Sequence, residues 1–78
     1  MPCRVGITTD TRACREYWES RVEGLRNWQV VSVHTSRLAA QDAEAEYARR
    51  FDCDAQSGDG PTLARWCLYR FSYDTDLE

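Results

Sequence analysis

Arg4-Val5-Gly6-Ile7-Thr8-Thr9-Asp10 is the stretch around which the rest of the chain must be arranged. Cys3, Val5 and Ile7 alternate with Arg4, Gly6 and Thr8, and that period of two predicts a strand. A glycine inside a strand weakens it unless another group must come close to the backbone. Gly6 therefore implies either an aromatic ring packed over the gap or a functional cleft. Thr9 or Asp10 then serves as N-cap of a first helix, accepting from an otherwise orphaned N–H two or three residues on.

Downstream, Cys14, Tyr17, Trp18, Val22 and Leu25 recur at helical spacing and form an apolar stripe, with Gly24 placed as the left-handed residue that stops the helix. Arg21 falls inside that stripe, which asks it either to extend outward or to meet a buried acid. Trp28 to His34 reads as a second strand, with Trp28 and Val30 on one side and Val31 and Val33 on the other. Thr35 or Ser36 caps a second helix running to about Phe51, whose apolar stripe is Ala40, Ala43, Tyr47, Ala48 and Phe51. At 100° per residue Glu44 lands inside that stripe, where an acid must be paired or chemically employed. Asp42, Glu46, Arg49 and Arg50 face water, with Glu46 and Arg50 at ion-pair spacing.

Asp52 to Pro61 lacks periodicity and is rich in Asp, Gly and Ser, the signature of a long loop. Ala64 to Tyr73 is a third strand, in which Cys67, Tyr69, Phe71 and Tyr73 alternate with Trp66 and Leu68. The acidic tail from Asp74 to Glu78 is expected to fray. The order β-α-β-α-β predicts one α+β domain over residues 1–78, a three-stranded and mainly antiparallel sheet with both helices on one face.

All ten basic residues are arginine, which we read as the coding bias of a GC-rich bacterial or viral genome. The net charge of −3 is unevenly distributed: residues 1–41 carry six Arg and four acids, residues 42–78 four Arg and nine acids. An acidic half repels nucleic-acid phosphates, so direct nucleic-acid binding there is disfavoured and a basic partner is favoured. No run of 18 apolar residues and no leader-like start occur, which predicts a cytoplasmic protein without a membrane span. Cys3, Cys14, Cys53 and Cys67 match no zinc spacing; their even number leaves disulfides open, but without a secretion signal buried free thiols are the expected state.

Val5-Gly6-Ile7-Thr8-Thr9-Asp10 with Arg12 and Arg15 on the helix that follows, and Asn27-Trp28-Gln29-Val30-Val31 with the later Ala43-Glu44 and Tyr47-Ala48, resemble parts of the GIY-YIG nuclease family over residues 4–51. The resemblance implies phosphodiester hydrolysis in which a helix arginine stabilises phosphoryl charge, a glutamate holds Mg²⁺ or Mn²⁺, and strand tyrosines position water. Carried onto this chain, that set is Glu44, Arg15 and Tyr69, with Tyr69 and Arg70 supplied by the C-terminal strand. The chain departs from the family pattern in having Arg4-Val5 ahead of the glycine and Cys14 where the catalytic arginine belongs. With only Gly6 and Glu44 matching cleanly, the expected function is non-catalytic.

That expectation is an acidic interaction protein of phage or mobile-element type, similar in general character to anti-CRISPR proteins. It would act as a DNA mimic on a protein partner with a basic nucleic-acid-binding surface, such as a CRISPR effector complex, as a monomer or weak homodimer and without cofactor. Asp42, Glu46, Asp52, Asp54, Asp59, Asp74, Asp76 and Glu78 are the expected partner-binding residues.

Overall fold

The computed structural model describes residues 2–56 and 60–77. Its elements are β1 (Cys3–Thr8), α1 (Thr11–Glu19), β2 (Val22–Glu23), β3 (Arg26–Ser36), α2 (Arg37–Phe51), β4 (Asp54–Gln56), β5 (Leu63–Ser72) and β6 (Thr75–Asp76). The chain is α+β, but the expected three-stranded sheet is replaced by a four-stranded mixed sheet in the order β3-β5-β1-β4, with a separate β2-β6 ribbon. β5 runs antiparallel to both β1 and β3, whereas β4 lies parallel to β1.

The helices cover opposite faces, not one. Alternation along β5 turns Trp66 and Leu68 toward α2, where they pack with Val5, Ile7 and Ala40. Tyr69, Phe71 and Tyr73 pack with Trp18 of α1 and Val22 of β2. β5 is therefore central and apolar on both sides, which the sequence shows as aromatic residues at odd and even positions alike.

Helix boundaries follow local chemistry. The Asp10 carboxylate accepts from the Ala13 N–H at 3.0 Å, and the Ser36 hydroxyl accepts from that of Ala39 at 3.2 Å. At the other end of α2 Asp52 takes the left-handed conformation (φ 55°), one that Asp tolerates better than most residues. α1 ends earlier than its apolar pattern predicts, with Ser20 as C-cap. Val22 and Glu23 leave the helix to pair with Asp76 and Thr75, and Gly24 (φ +75°) turns the chain afterwards instead of capping α1. The last residues of the chain are correspondingly held in a strand up to Asp76, although fraying was expected there.

A register shift between Val30 and Ser32 changes the outward face of β3. Val30 lies opposite Tyr69 and Val33 opposite Cys67, so both valines point to the α1 side, where strict alternation would have separated them. Both remain exposed.

The segment predicted as a loop after α2 contains β4. Cys53 is joined to Cys3 by a disulfide, which sets Asp54 beside Arg4 at the start of the parallel pairing. Two of the four cysteines are thus bridged, against the expectation for free thiols; Cys14 and Cys67 are free. No helix among the described residues is long and apolar enough to cross a membrane.

Candidate functional site

Gly6 sits under an aromatic side chain. Its partner across the ladder is Tyr69, and a Cβ at Gly6 would collide with the Tyr69 hydroxyl and lie 2.6 Å from the Gln56 carbonyl oxygen. Of the two sequence-based readings of this glycine, the packed ring is the one observed. The hydroxyl accepts a hydrogen bond from Trp18 Nε1 at 2.9 Å in the buried layer under α1. Burial, with the Cys14 thiol as a further neighbour, raises the Tyr69 pKa well above the ordinary phenol value. Burial also raises the Cys14 thiol, only partly offset by hydrogen bonds to Tyr69, Thr8 and Trp18.

Arg4 organises the end of the sheet. Its guanidinium donates to both carboxylate oxygens of Asp76, at 3.0 and 3.3 Å, and to the Tyr73 hydroxyl at 3.1 Å. It also lies over the rings of Trp18 and Tyr73 and 3.9 Å from Asp54. Arg26 binds Asp74 at 2.7 Å, and this bond lowers the Asp74 pKa below the usual carboxylate range.

The acids proposed from sequence therefore divide. Asp54, Asp74 and Asp76 are brought to the β1-β4 and β2-β6 end, each with an arginine close by. Asp42 and Glu46 lie exposed on α2 and Asp52 exposed at its C-cap, with no ion pair to any of the three among the described residues. The predicted Glu46–Arg50 pair does not form; Arg50 lies over the Phe51 ring. Asp59 and Glu78 lie outside the described residues.

The residues of the nuclease resemblance are not gathered. Glu44 is buried on α2, while Arg15 is exposed on α1 across the sheet and 3.7 Å from Glu19. Tyr69 faces α1, its hydroxyl held by Trp18. Among the described residues no group of three or more His, Cys, Asp and Glu side chains could hold a metal ion.

One concave feature was not anticipated. A cleft of about 430 Å³ opens between the end of α1, β4 and the β2-β6 ribbon, lined by Arg4, Tyr17, Trp18, Arg21, Gln56, Asp76 and Leu77. Its sequence signal was Arg21 within an apolar stripe: the side chain goes outward and lies over the Tyr17 ring, 4.7 Å from its centroid. Tyr17, expected in the core, is half-exposed.

No protein-family model matches the chain. No curated protein matches it either, and neither does any solved structure.

Proposed function

We propose that this chain is a non-catalytic binding protein whose acidic α2 face docks on the basic nucleic-acid-binding surface of a larger protein complex, in the manner of small phage-type inhibitors. The observation that carries this reading is the set Asp42, Glu46 and Asp52, three exposed carboxylates with no ion pair among the described residues, which outnumber the exposed Arg49 and Arg50 beside them. Charges left unneutralised on a surface steer association with an oppositely charged partner, and salt weakens them over a Debye length of about 8–10 Å. The remaining acids contribute less to such a field, because Arg4 and Arg26 offset Asp54, Asp74 and Asp76.

Binding to a purified basic effector complex, such as a CRISPR ribonucleoprotein, tests the reading. Wild-type protein is expected to co-elute at low salt and to block DNA loading. The Asp42→Asn, Glu46→Gln, Asp52→Asn triple variant is expected to do neither. Equal binding by the triple variant would sink the proposal.

A metal-dependent nuclease using Glu44 with Mg²⁺ or Mn²⁺ is the second reading. It draws support from the central place of β5, which brings Tyr69 opposite Gly6. Tyr69 and Arg15 both lie on the α1 side of the sheet, however, across from Glu44 on α2. Plasmid cleavage in Mg²⁺ that is lost in Glu44→Gln would favour this reading over the first.

A further inference from the structure

The cleft beside α1 has properties that the acidic α2 face does not use. Its volume of about 430 Å³ falls within the range of about 300–1,000 Å³ usual for small-molecule sites. Two guanidiniums line it, and they differ in state. Arg4 is committed, with both terminal nitrogens donating to Asp76 and one also to Tyr73, so Arg4 and Asp76 form a neutral pair in the floor. Arg21 is uncommitted: it makes no side-chain hydrogen bond and no ion pair among the described residues.

The Arg21 guanidinium carbon lies 4.7 Å from the Tyr17 centroid, a cation–π contact that consumes none of its N–H donors. Contact with Tyr17 also restricts the side chain in advance, so less rotamer freedom is lost when those donors engage a ligand. The geometry of such a fork matches a carboxylate or phosphate, which accepts two parallel hydrogen bonds. Gln56, at the end of β4 and also without a side-chain hydrogen bond among the described residues, adds a carboxamide donor to the same cleft. The half-exposed Tyr17 ring and Leu77 supply an apolar wall.

We infer that this cleft binds a small aromatic oxyanion, with the anionic group on Arg21 and Gln56 and the ring against Tyr17 and Leu77. With Arg4 engaged by Asp76 and Asp54, Arg21 is the lining cation whose donors an anion would meet. The apolar wall favours a ligand with an organic body over a bare ion. The inference is independent of the docking function, which uses residues of α2 on the other side of the sheet.

Phenyl phosphate and benzoate are suitable probes, titrated into ¹⁵N-labelled full-length protein with inorganic phosphate and phenol as the part-ligands. Saturable shifts at Tyr17, Arg21, Gln56 and Leu77 with either aromatic anion are expected, and the two probes separate phosphate from carboxylate preference. Each part-ligand should bind at least about tenfold more weakly, phenol for want of the charge-assisted contact and inorganic phosphate for want of the buried ring. Arg21→Gln, which keeps the backbone carbonyl that accepts from Leu77 N–H, should weaken binding by a similar factor with the rest of the amide spectrum unchanged. Arg49→Gln, an equal loss of positive charge at an exposed α2 position outside the cleft, should leave binding as it is. Absence of saturation with both aromatic anions at millimolar concentration overturns the assignment. So does undiminished binding by Arg21→Gln, or inorganic phosphate binding as tightly as phenyl phosphate.

Discussion

The hydroxyl of Tyr69 occupies the space that a side chain at Gly6 would need. The two residues face each other across the β1-β5 ladder, and the Gln56 carbonyl of β4 closes on the same point from the other side. Gly6 does not have a positive φ, so its glycine identity comes from crowding and not from backbone conformation.

Gly6→Ala is accordingly expected to destabilise the fold by about 3 kcal/mol, the upper range for overpacking, because one of the three obstructing atoms belongs to the backbone. The shift in urea midpoint at constant m-value measures it. Adding Tyr69→Phe should recover part of the loss; strict additivity of the two substitutions would contradict the contact.

Tyr69→Phe alone removes the acceptor of the Trp18 indole N–H in a buried layer. A buried donor left without a partner costs about 1–3 kcal/mol. Equilibrium unfolding followed by circular dichroism should show that loss, and no loss would mean that another acceptor reaches Trp18.

The Cys3–Cys53 bridge closes a loop with a sequence separation of 50. In the chain-entropy view such a closure stabilises by about 4 kcal/mol. Reductant, or Cys53→Ser, is expected to lower the unfolding midpoint correspondingly and to raise amide exchange first in β4, whose short pairing with β1 begins next to the bridge. Thiol counting of the native protein should find Cys14 slow to alkylate at neutral pH, since its thiol is raised by burial.

Asp74 titrates below an ordinary carboxylate because Arg26 donates to it. Its depressed folded-state pKa means a contribution to stability that is present above the unfolded value of about 3.9 and lost as the pH falls through the folded one. Arg26→Gln should bring the Asp74 carboxyl, followed by NMR, back toward the ordinary range and flatten the acid limb of the stability curve. An unchanged Asp74 titration would show that Arg26 is not its partner in solution.

Much of the candidate chemistry was legible locally. The buried place of Glu44 follows from helical spacing alone, because the angle between residues on a helix is set by the backbone. Arg21 declared itself by standing in an apolar stripe, although its stacking on Tyr17 did not. The split among the acids was not legible: Asp76 meets Arg4 across 72 positions and Asp74 meets Arg26 across 48, so no local pattern contains either pair.

By itself the sequence determined the two helix starts to within a residue (Thr9 or Asp10, Thr35 or Ser36), the length of α2 and the strand character of β1, β3 and β5. These rest on hydrogen bonds and periodicities that span a few residues. Only the tertiary structure decided that α1 stops at Glu19 in favour of the β2-β6 ribbon, that β4 joins β1 in parallel, and that the helices take opposite faces of β5. In each case the outcome depends on which distant strand offers its edge or face, and a strand apolar on both sides accepts a helix on either.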